Sequence, residues 1–441
     1  MERLPHPGRR RRAGGTVPRH VPAGAALAAA MLALTAPAAA IESRYALGYR
    51  LEYSDNLRLA ETNPESGLVS IPTFTYDLQH QSRHWEAAVR ADLQYEDYVS
   101  NTFGDRWTGV VDGTASWSLL PQRLAWVASD YLRQVVISTV QADNPLNQQL
   151  VNTLSTGPDV TLRLTPVDEL RLEYRAIDIY EERTNNDSFR NTAALRLRHR
   201  RSALAAISLN YEFGDVDFDD PLNKDFVRHD YFLRYDTQGA RSNLTVDLGR
   251  TRIVRDGAPD DAGGLVRLAA GYRLSRTSDL TLTAQDLLIE TGYITATRGS
   301  LADLANTAGN FISTDIYRER LADLSYARQA RTINLSASLF TLRREYTIDQ
   351  TQDRRISGFQ FQLDYDPAPV VRFTLRGTFQ GIRYDVIDRR DDDYYVSLQY
   401  QHRLGTTLYG GLEVRRLRRA SSLAGSSYAE NRGVISVSYR K

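Results

Sequence analysis

The sequence predicts an all-β protein, namely a transmembrane, antiparallel, up-and-down β-barrel of about twenty strands. Apolar and polar residues alternate with a period of two along nearly the whole chain, and the connections between these stretches alternate between short and long. The polar face is densely charged on nearly every strand, which does not suit the core of a soluble β-sandwich. After residue 40 there is no apolar run of about 18 residues, so no transmembrane helix is indicated.

Residues 1–40 differ from the rest and predict a secretory signal peptide, which leaves the barrel to residues 41–441. Arginines 9 to 12 form a basic head, an apolar run follows, and Ala38, Ala39 and Ala40 offer a cleavage site. The chain has no Cys, which excludes disulfides, thiolate metal sites and a lipid-anchored Cys. Acidic residues slightly outnumber basic ones after the signal, so nothing indicates nucleic acid as a partner.

The first predicted strand lies in "RYALGYRLEYSDN", residues 44–56. Its odd positions from Tyr45 to Tyr53 are Tyr or Leu, whereas its even positions include Arg50 and Glu52. The same pattern recurs up to the last strand, where Ile435, Val437 and Tyr439 alternate with polar residues. About twenty such segments can be counted. Eighteen is the alternative, because residues 134–136 and 315–326 alternate poorly.

The connections fall into two classes that alternate along the chain. The short ones lie at 80–83, 120–123, 166–169, 200–202, 366–369 and 403–406, and the long, mostly acidic ones at 54–67, 214–225, 255–264 and 385–393. Bacterial outer-membrane barrels have short periplasmic turns and longer outside loops, so we expect that orientation here. The longest connection, residues 291–314, could fold into the lumen or lie on the rim, and residues 138–153 are the second candidate for either place.

The alternation also predicts what each face contacts. A closed barrel satisfies every backbone polar group, as a lipid environment requires, and has no exposed sheet edge. The Tyr-, Trp- and Leu-rich face should therefore contact the lipid of the outer membrane, while residues such as Arg50 and Glu52 should face a water-filled lumen.

At the end of this first strand the sequence resembles a known family. The mature chain opens with a strand that ends in Tyr53-Ser54-Asp55-Asn56 and continues as hairpins to its end. This resembles the outer-membrane β-barrel porins found beside exopolysaccharide and PEP-CTERM sorting loci in Gram-negative bacteria. The resemblance implies a porin-like protein that serves polysaccharide export. One departure is that Arg440 and Lys441 follow Tyr439, where such barrels commonly finish on an aromatic residue.

The candidate pore-lining residues are charged side chains on the polar face near the short-turn end. They are Arg171, Glu173, Arg175, Arg196, Arg198, Arg273, Arg372, Arg376 and Arg403. An unpaired ring of arginines would favour the passage of anions. Alternatively, pairing with acids such as Glu173, Glu86 or Asp92 would brace the wall and cancel the field. The sequence leaves both interpretations open.

Catalytic and metal sites are not indicated. His80 and His84 span a predicted turn without an adjacent acidic ligand, and no nucleophile motif surrounds His199, His229 or His402, so we expect no enzyme activity. The run Asp215, Asp217, Asp219 and Asp220 could share calcium, but it lacks the Gly and the distal Glu of an EF-hand loop. A solvated acidic loop is favoured over calcium binding, and no resident metal or cofactor is expected.

The resulting functional hypothesis is a porin-like channel for polar solutes, or for export of an acidic exopolysaccharide. The main alternative is a non-conducting structural or adhesive barrel whose acidic surface loops bind partners. An outer-membrane hydrolase ranks third. A transporter with a plug domain is disfavoured, because no such domain precedes the first predicted strand.

Overall fold

The computed structural model describes residues 41–184, 186–290 and 315–441, which form twenty antiparallel β-strands. The strands are β1 Ile41–Ser54, β2 Gly67–Gln81, β3 Trp85–Tyr98, β4 Arg106–Leu120, β5 Leu124–Val136, β6 Gln148–Arg163, β7 Asp168–Glu181, β8 Ser188–Arg200, β9 Ala205–Phe218, β10 Phe226–Gln238, β11 Ser242–Arg255, β12 Asp261–Arg273, β13 Ser278–Ile289, β14 Tyr317–Gln329, β15 Ile333–Tyr346, β16 Arg354–Ala368, β17 Val371–Tyr384, β18 Arg390–Arg403, β19 Leu408–Ser421 and β20 Tyr428–Arg440.

Each strand pairs with its neighbours in the sequence, and β1 pairs with β20, so the sheet closes on itself. The seam is complete to the C-terminus, since the amides of Tyr45 and Lys441 each donate to the carbonyl of the other at 2.9 Å. The predicted all-β barrel of about twenty strands is therefore confirmed. The poorly alternating stretches at 134–136 and 315–326 belong to β5 and β14, where pairing on both sides overrides a weak local pattern.

Connection length segregates by end, as predicted. The turns at one end have at most four residues, and they are 82–84, 121–123, 164–167, 201–204, 239–241, 274–277, 330–332, 369–370 and 404–407. The connections at the other end are longer and include 55–66, 99–105 and 137–147. Three predicted long loops are partly strand, because β9 runs to Phe218, β12 starts at Asp261 and β18 starts at Arg390. Alternation continues through these acidic stretches, so the strands extend further than loop composition suggested.

The two faces of the sheet point as predicted, but Glu52, which was expected to face water, is only 3% exposed. Tyr45, Leu47, Tyr49, Leu51 and Tyr53 of β1 all have exposed side chains and face outward, whereas inward-facing Glu52 and Ser54 are buried. Exposed apolar residues recur around the barrel wall, including Leu233, Leu339, Leu398 and Ile435. Because no other layer formed by the described residues covers them, they form the apolar band that lipid requires.

Aromatic side chains mark both edges of this band. Near the short turns, Trp85 stacks on Trp117 with ring centroids 5.2 Å apart, and Phe373 contacts Tyr400 at 5.2 Å. Exposed aromatics at the other end are Tyr53, Trp107, Tyr180, Phe189 and Tyr394. Two such girdles are typical of transmembrane barrels. Helical structure in the described residues is limited to two short 3-10 turns, Pro145–Asn147 and Gln350–Gln352, and none of it could span a membrane.

Candidate functional site: the lumen and the segment that crosses it

The short-turn half of the lumen holds the arginines singled out in the sequence, and most of them are paired with carboxylates. Arg196 contacts Glu173 at 3.2 Å and Glu212 at 3.0 Å, and Arg175 contacts Asp159 at 2.6 Å. The remaining ion pairs are Arg171–Glu169 (3.3 Å), Arg198–Asp236 (3.2 Å), Arg273–Asp279 (3.6 Å) and Arg372–Asp366 (2.7 Å).

Two of the predicted arginines have no carboxylate partner among the described residues. Arg376 donates to the amide oxygen of Gln362 at 3.0 Å, and Arg403 forms no ion pair with any described residue. Several of the paired side chains stay solvent-exposed, including Arg198 (49%), Arg372 (53%) and Arg273 (63%). This half of the lumen is therefore polar and open to water, but most of its positive charge is neutralised locally.

In the long-loop half, by contrast, ion pairs are buried. Arg389 and Asp391 form a two-pronged pair at 2.9 Å and 2.7 Å, and their side chains are 1% and 0% exposed. Arg228 pairs with Asp230 at 2.8 Å with both side chains below 5% exposure. Buried pairs of this kind are held by their geometry, because removal of one partner leaves an uncompensated charge.

Inward-facing apolar residues pack beside these buried pairs. One cluster joins β14 to β17 and consists of Leu321, Phe340, Leu342, Ile356, Ile382 and Tyr384. A second cluster lies between the β1–β2 connection and β3, and consists of Leu57, Val69, Ile71, Tyr98 and Phe103. A barrel with a uniformly wet lumen would expose these side chains to water. Their burial shows that the long-loop half is narrowed by packed groups.

Residues 137–147, here named the crossing segment, fold into this half of the lumen. Asn147, 3% exposed, holds the segment together, since its side-chain amide donates to the carbonyls of Ser138 (2.8 Å) and Ala142 (3.1 Å). Its side-chain oxygen accepts from the Ser138 amide at 2.9 Å, and Asn144 caps the short 3-10 turn that follows. These bonds satisfy polar groups of a connection that lies inside the barrel.

The tip of the crossing segment contacts the opposite wall. The carbonyl of Thr139 accepts from the Tyr384 hydroxyl at 2.8 Å, and the hydroxyl of Thr139 accepts from Arg354 at 2.7 Å. The carbonyl of Val140 accepts from Arg389 at 2.6 Å, and its side chain packs on the cluster formed by β14 to β17. The segment leaves between β5 and β6 and arrives at β16 and β17, about half-way around the barrel.

This contact requires the barrel to be narrow along that direction. A circular twenty-stranded barrel would be roughly 40 Å across, given its strand spacing and tilt. Thr139 lies three residues beyond the end of β5, a reach of about 10 Å for extended chain. Even when the length of the Tyr384 side chain is added to this reach, the distance between the ends of β5 and β17 must be much shorter than the diameter of a circular barrel. The long-loop end is therefore flattened, and the crossing segment divides its lumen.

A polar cavity of about 290 Å³ lies between the crossing segment and the wall at β1, β3, β19 and β20. Pro145 lines this cavity together with side chains of β1, β3, β19 and β20, among them Arg50, Glu52, Arg415 and Arg432. Glu52 is 3.5 Å from each of these three arginines, and Arg415 also pairs with Glu413 at 2.7 Å. Apolar residues of the cluster around Tyr98 and Phe103 form the facing side.

The long connections β1–β2 and β3–β4 are tied to one another beside this cavity. Glu65 accepts from the hydroxyl of Thr102 and from Arg58, each at 2.5 Å, and Arg58 lies over the Phe103 ring. The hydrogen bond from Thr102, followed by that from Arg58, lowers the pKa of Glu65. Asn144 of the crossing segment donates to the carbonyl of Arg58 at 3.0 Å, so the β1–β2 connection and the crossing segment support each other.

The structure separates the residues that the sequence placed in candidate chemical sites. His199 pairs with Asp168 at 2.8 Å near a short turn, and His229 hydrogen-bonds to Tyr211 at 2.9 Å on the outer face. In the acidic run, Asp215 and Asp217 belong to strand β9 while Asp219 and Asp220 lie in the connection after it. Over the described residues, no group of three or more His, Asp or Glu is placed to hold a metal ion.

Of the two connections predicted as lumen candidates, residues 291–314 lie outside the described residues. The other, residues 138–153, divides into the crossing segment and the start of β6. Sequence reasoning missed the buried partners of the segment, Arg354, Tyr384 and Arg389. Arg389 lies in the stretch 385–393 that the sequence assigned to a long acidic loop, so its composition gave no signal for burial.

Comparison with known proteins supports the fold. No protein-family model and no curated protein sequence matches this chain. Solved structures do match, among them the siderophore receptor PirA from Acinetobacter baumannii, with a TM-score of 0.50, 9% identity, and coverage of 91% of this chain and 80% of that chain. A mutant of the ferric enterobactin receptor PfeA from Pseudomonas aeruginosa has a TM-score of 0.48 and 10% identity, with coverage of 91% of this chain and 80% of that chain. The FrpB iron transporter from Neisseria meningitidis has a TM-score of 0.46 and 8% identity, with coverage of 90% of this chain and 81% of that chain. The closed barrel, its apolar band and its two aromatic girdles together identify the chain as a β-barrel of the Gram-negative outer membrane.

Proposed function

We propose that the protein is an outer-membrane channel for small polar solutes, narrowed at its outer end by the crossing segment. The observation that carries this proposal is the contrast within one closed lumen. The short-turn half is lined by solvent-exposed ion pairs such as Arg198–Asp236 and Arg372–Asp366, which a filled barrel would bury. Beyond it, the polar cavity beside Pro145 lies at the level where the lumen narrows.

Export of an acidic exopolysaccharide is a narrower form of this proposal. Support for it comes from the sequence resemblance and from the arginines of the short-turn half. A polymer needs a continuous path through the outer end, where the crossing segment reaches the opposite wall at Tyr384. Solved barrels of similar fold include a siderophore receptor, but at 9% identity this likeness concerns architecture and not cargo.

The second candidate function is a structural or adhesive barrel that does not conduct. The observation that favours it is the same narrowing, since the buried pair Arg389–Asp391 and the apolar clusters fill much of the outer half. An enzyme is the weakest candidate, because His199 and His229 have structural partners and lie outside the lumen.

Single-channel recording distinguishes these functions. The full chain, folded into a planar bilayer, should give discrete conductance steps that are smaller than those expected of an open twenty-stranded barrel. Protein that inserts, as shown by protease protection of the strands, but gives no steps in symmetric salt would contradict the channel and support the structural barrel.

A further inference from the structure

A row of five arginines lies on the outward face of the barrel at its long-loop end. The row takes one residue from each of five successive strands, β14 to β18, and consists of Arg320, Arg343, Arg355, Arg383 and Arg390. Each member is directly opposite the next in the strand register, from Arg320 opposite Arg343 to Arg383 opposite Arg390. The arginine row is therefore a continuous cross-strand ladder and not a scatter of surface charges.

The row has a fixed height above the apolar band. On each of the five strands a large apolar residue lies four positions towards the short turns, and these residues also face one another in register. They are Leu324, Leu339, Phe359, Phe379 and Tyr394. Four residues of tilted strand correspond to roughly 10 Å along the membrane normal. The guanidinium groups thus lie at the level of the lipid headgroups, just outside the hydrocarbon.

The positive charge of the row is only partly balanced by the protein. Like charges directly opposite each other on neighbouring strands are destabilising unless a counter-charge is present. Glu345 lies 2.9 Å from Arg343 and 3.4 Å from Arg320, and Asp385 lies 3.7 Å from Arg343. Arg355 and Arg383, at the centre of the row, are exposed and form no ion pair with any carboxylate of the described residues.

Two acids at the ends of the row are more distant from it. Asp392 is 3.8 Å from Arg390, and Asp286 is 3.6 Å from Arg320. The row is also confined to one side of the barrel. On β9, outward positions beyond Phe213 carry Asp215 and Asp217 instead of arginine. Exposed arginines also occur at this end on β11 (Arg250 and Arg252) and β19 (Arg416 and Arg418), but none of them lies opposite another arginine in the strand register. Of the described strands, only β14 to β18 carry a continuous row.

We propose that the arginine row binds the phosphate groups of an outer-leaflet glycolipid, such as diphosphorylated lipid A. Guanidinium groups bind phosphate through paired, charge-assisted hydrogen bonds, and acyl chains below would lie on the apolar residues four positions away. The lipid phosphates would supply the missing counter-charge at Arg355 and Arg383. The site lies on the outer wall and is independent of whether the lumen conducts.

The test measures lipid binding by the full chain in a neutral detergent. Diphosphoryl lipid A is titrated against the parent and against an Arg355→Ser, Arg383→Ser variant, with native mass spectrometry as the readout. We expect the parent to retain the lipid and the variant to bind at least tenfold more weakly. The matched control is Arg328→Ser, Arg331→Ser, which removes two exposed arginines from the short-turn end of the β14–β15 hairpin and should bind like the parent.

A thermal melt provides a second readout that does not depend on the variant's affinity alone. Without lipid A, the Arg355→Ser, Arg383→Ser variant should melt at the same temperature as the parent or higher, because like-charge repulsion is relieved. With lipid A, only the parent and the control should gain stability. Equal gain in all three proteins would overturn the proposal, as would equally strong binding of dephosphorylated lipid A. Displacement of the lipid by equimolar inorganic phosphate would overturn the assignment to a lipid.

Discussion

The two halves of the lumen use the same residue types in opposite ways. In the short-turn half, arginines and carboxylates pair while remaining exposed, as Arg372 and Asp366 do. In the long-loop half, the Arg389–Asp391 pair is excluded from water and lies against the tip of the crossing segment. The comparison teaches that lumen charge has two roles here. Exposed pairs line a wet space, whereas buried pairs fix a packed constriction.

The largest effect should come from shortening the crossing segment. Replacing residues 138–144 with two glycines removes every contact of Thr139 and Val140 with the opposite wall. Single-channel conductance should rise several-fold, because the narrowest part of the path is removed. The matched control replaces residues 220–224, an external connection of similar position, with two glycines and should leave conductance unchanged. An unchanged conductance in the first variant would locate the constriction elsewhere.

Removal of one arginine from each half should separate the two kinds of ion pair. Arg389→Ala leaves Asp391 buried with only a more distant arginine, Arg419 at 3.8 Å, and should cost about 3 kcal/mol or more in the free energy of unfolding. Arg372→Ala removes an exposed pair and should cost about 0.2–1 kcal/mol. Urea titration into lipid vesicles measures both. Similar losses would mean that the halves do not differ as described.

Lipid exposure can be tested at two neighbouring positions of β17. Leu375 shares the outward face with exposed Phe373 and lies one outward position inside the aromatic girdle. The charge of Leu375→Arg should therefore cost more than the about 0–1 kcal/mol expected at the interface and at most the about 2–4 kcal/mol expected at the midplane. Thr374 faces inward and donates to Asp364 at 2.7 Å, so Thr374→Arg places its charge beside a carboxylate and should cost less. Folding titrations that give the same loss for both would show that the two faces are misassigned.

Ion selectivity should show the smallest effect. Six of the eight predicted pore-lining arginines pair with carboxylates, so the field in the short-turn half should be weak. Under a salt gradient we expect a small reversal potential that changes little when Arg196, Arg198, Arg372 and Arg376 are all replaced by Ser, while thermal stability falls modestly. Strong anion preference that disappears in this variant would instead support anion steering.

The sequence predicted most of the barrel because alternation is a local signal. The lipid face of β1, a strand number of about twenty and the segregation of short and long connections could be derived from a period of two and from loop length, although eighteen strands stayed open. The positions at which strands begin and end were harder to predict. The acidic stretch at 385–393 resembles a loop in composition, yet its last four residues, Arg390 to Asp393, belong to β18.

The constriction could be located only as one of two candidates. What brings the crossing segment to the far wall is contact between residues more than two hundred positions apart, such as Thr139 with Arg354 and Tyr384. A single sequence contains no periodicity that reports such a contact. The pairing of the lumen arginines was likewise left open, because it depends on strand register. Arg196 lies directly opposite Arg171 and Asn210 and reaches Glu173 and Glu212 diagonally.

The most direct test of the constriction is a distance measurement between the crossing segment and the opposite wall. The chain has no Cys, so a Thr139→Cys, Gln352→Cys variant carries only the two introduced thiols, at positions whose side chains are 3.0 Å apart. A homobifunctional thiol reagent with a reach of about 10 Å should join them in folded protein, as seen by mass spectrometry of the digest. The control pairs Thr139→Cys with Gln399→Cys, which lies in the short-turn half. A high yield of the 139–352 link and little of the 139–399 link is the predicted result, and comparable yields, or no 139–352 link in folded protein, would contradict the crossing segment.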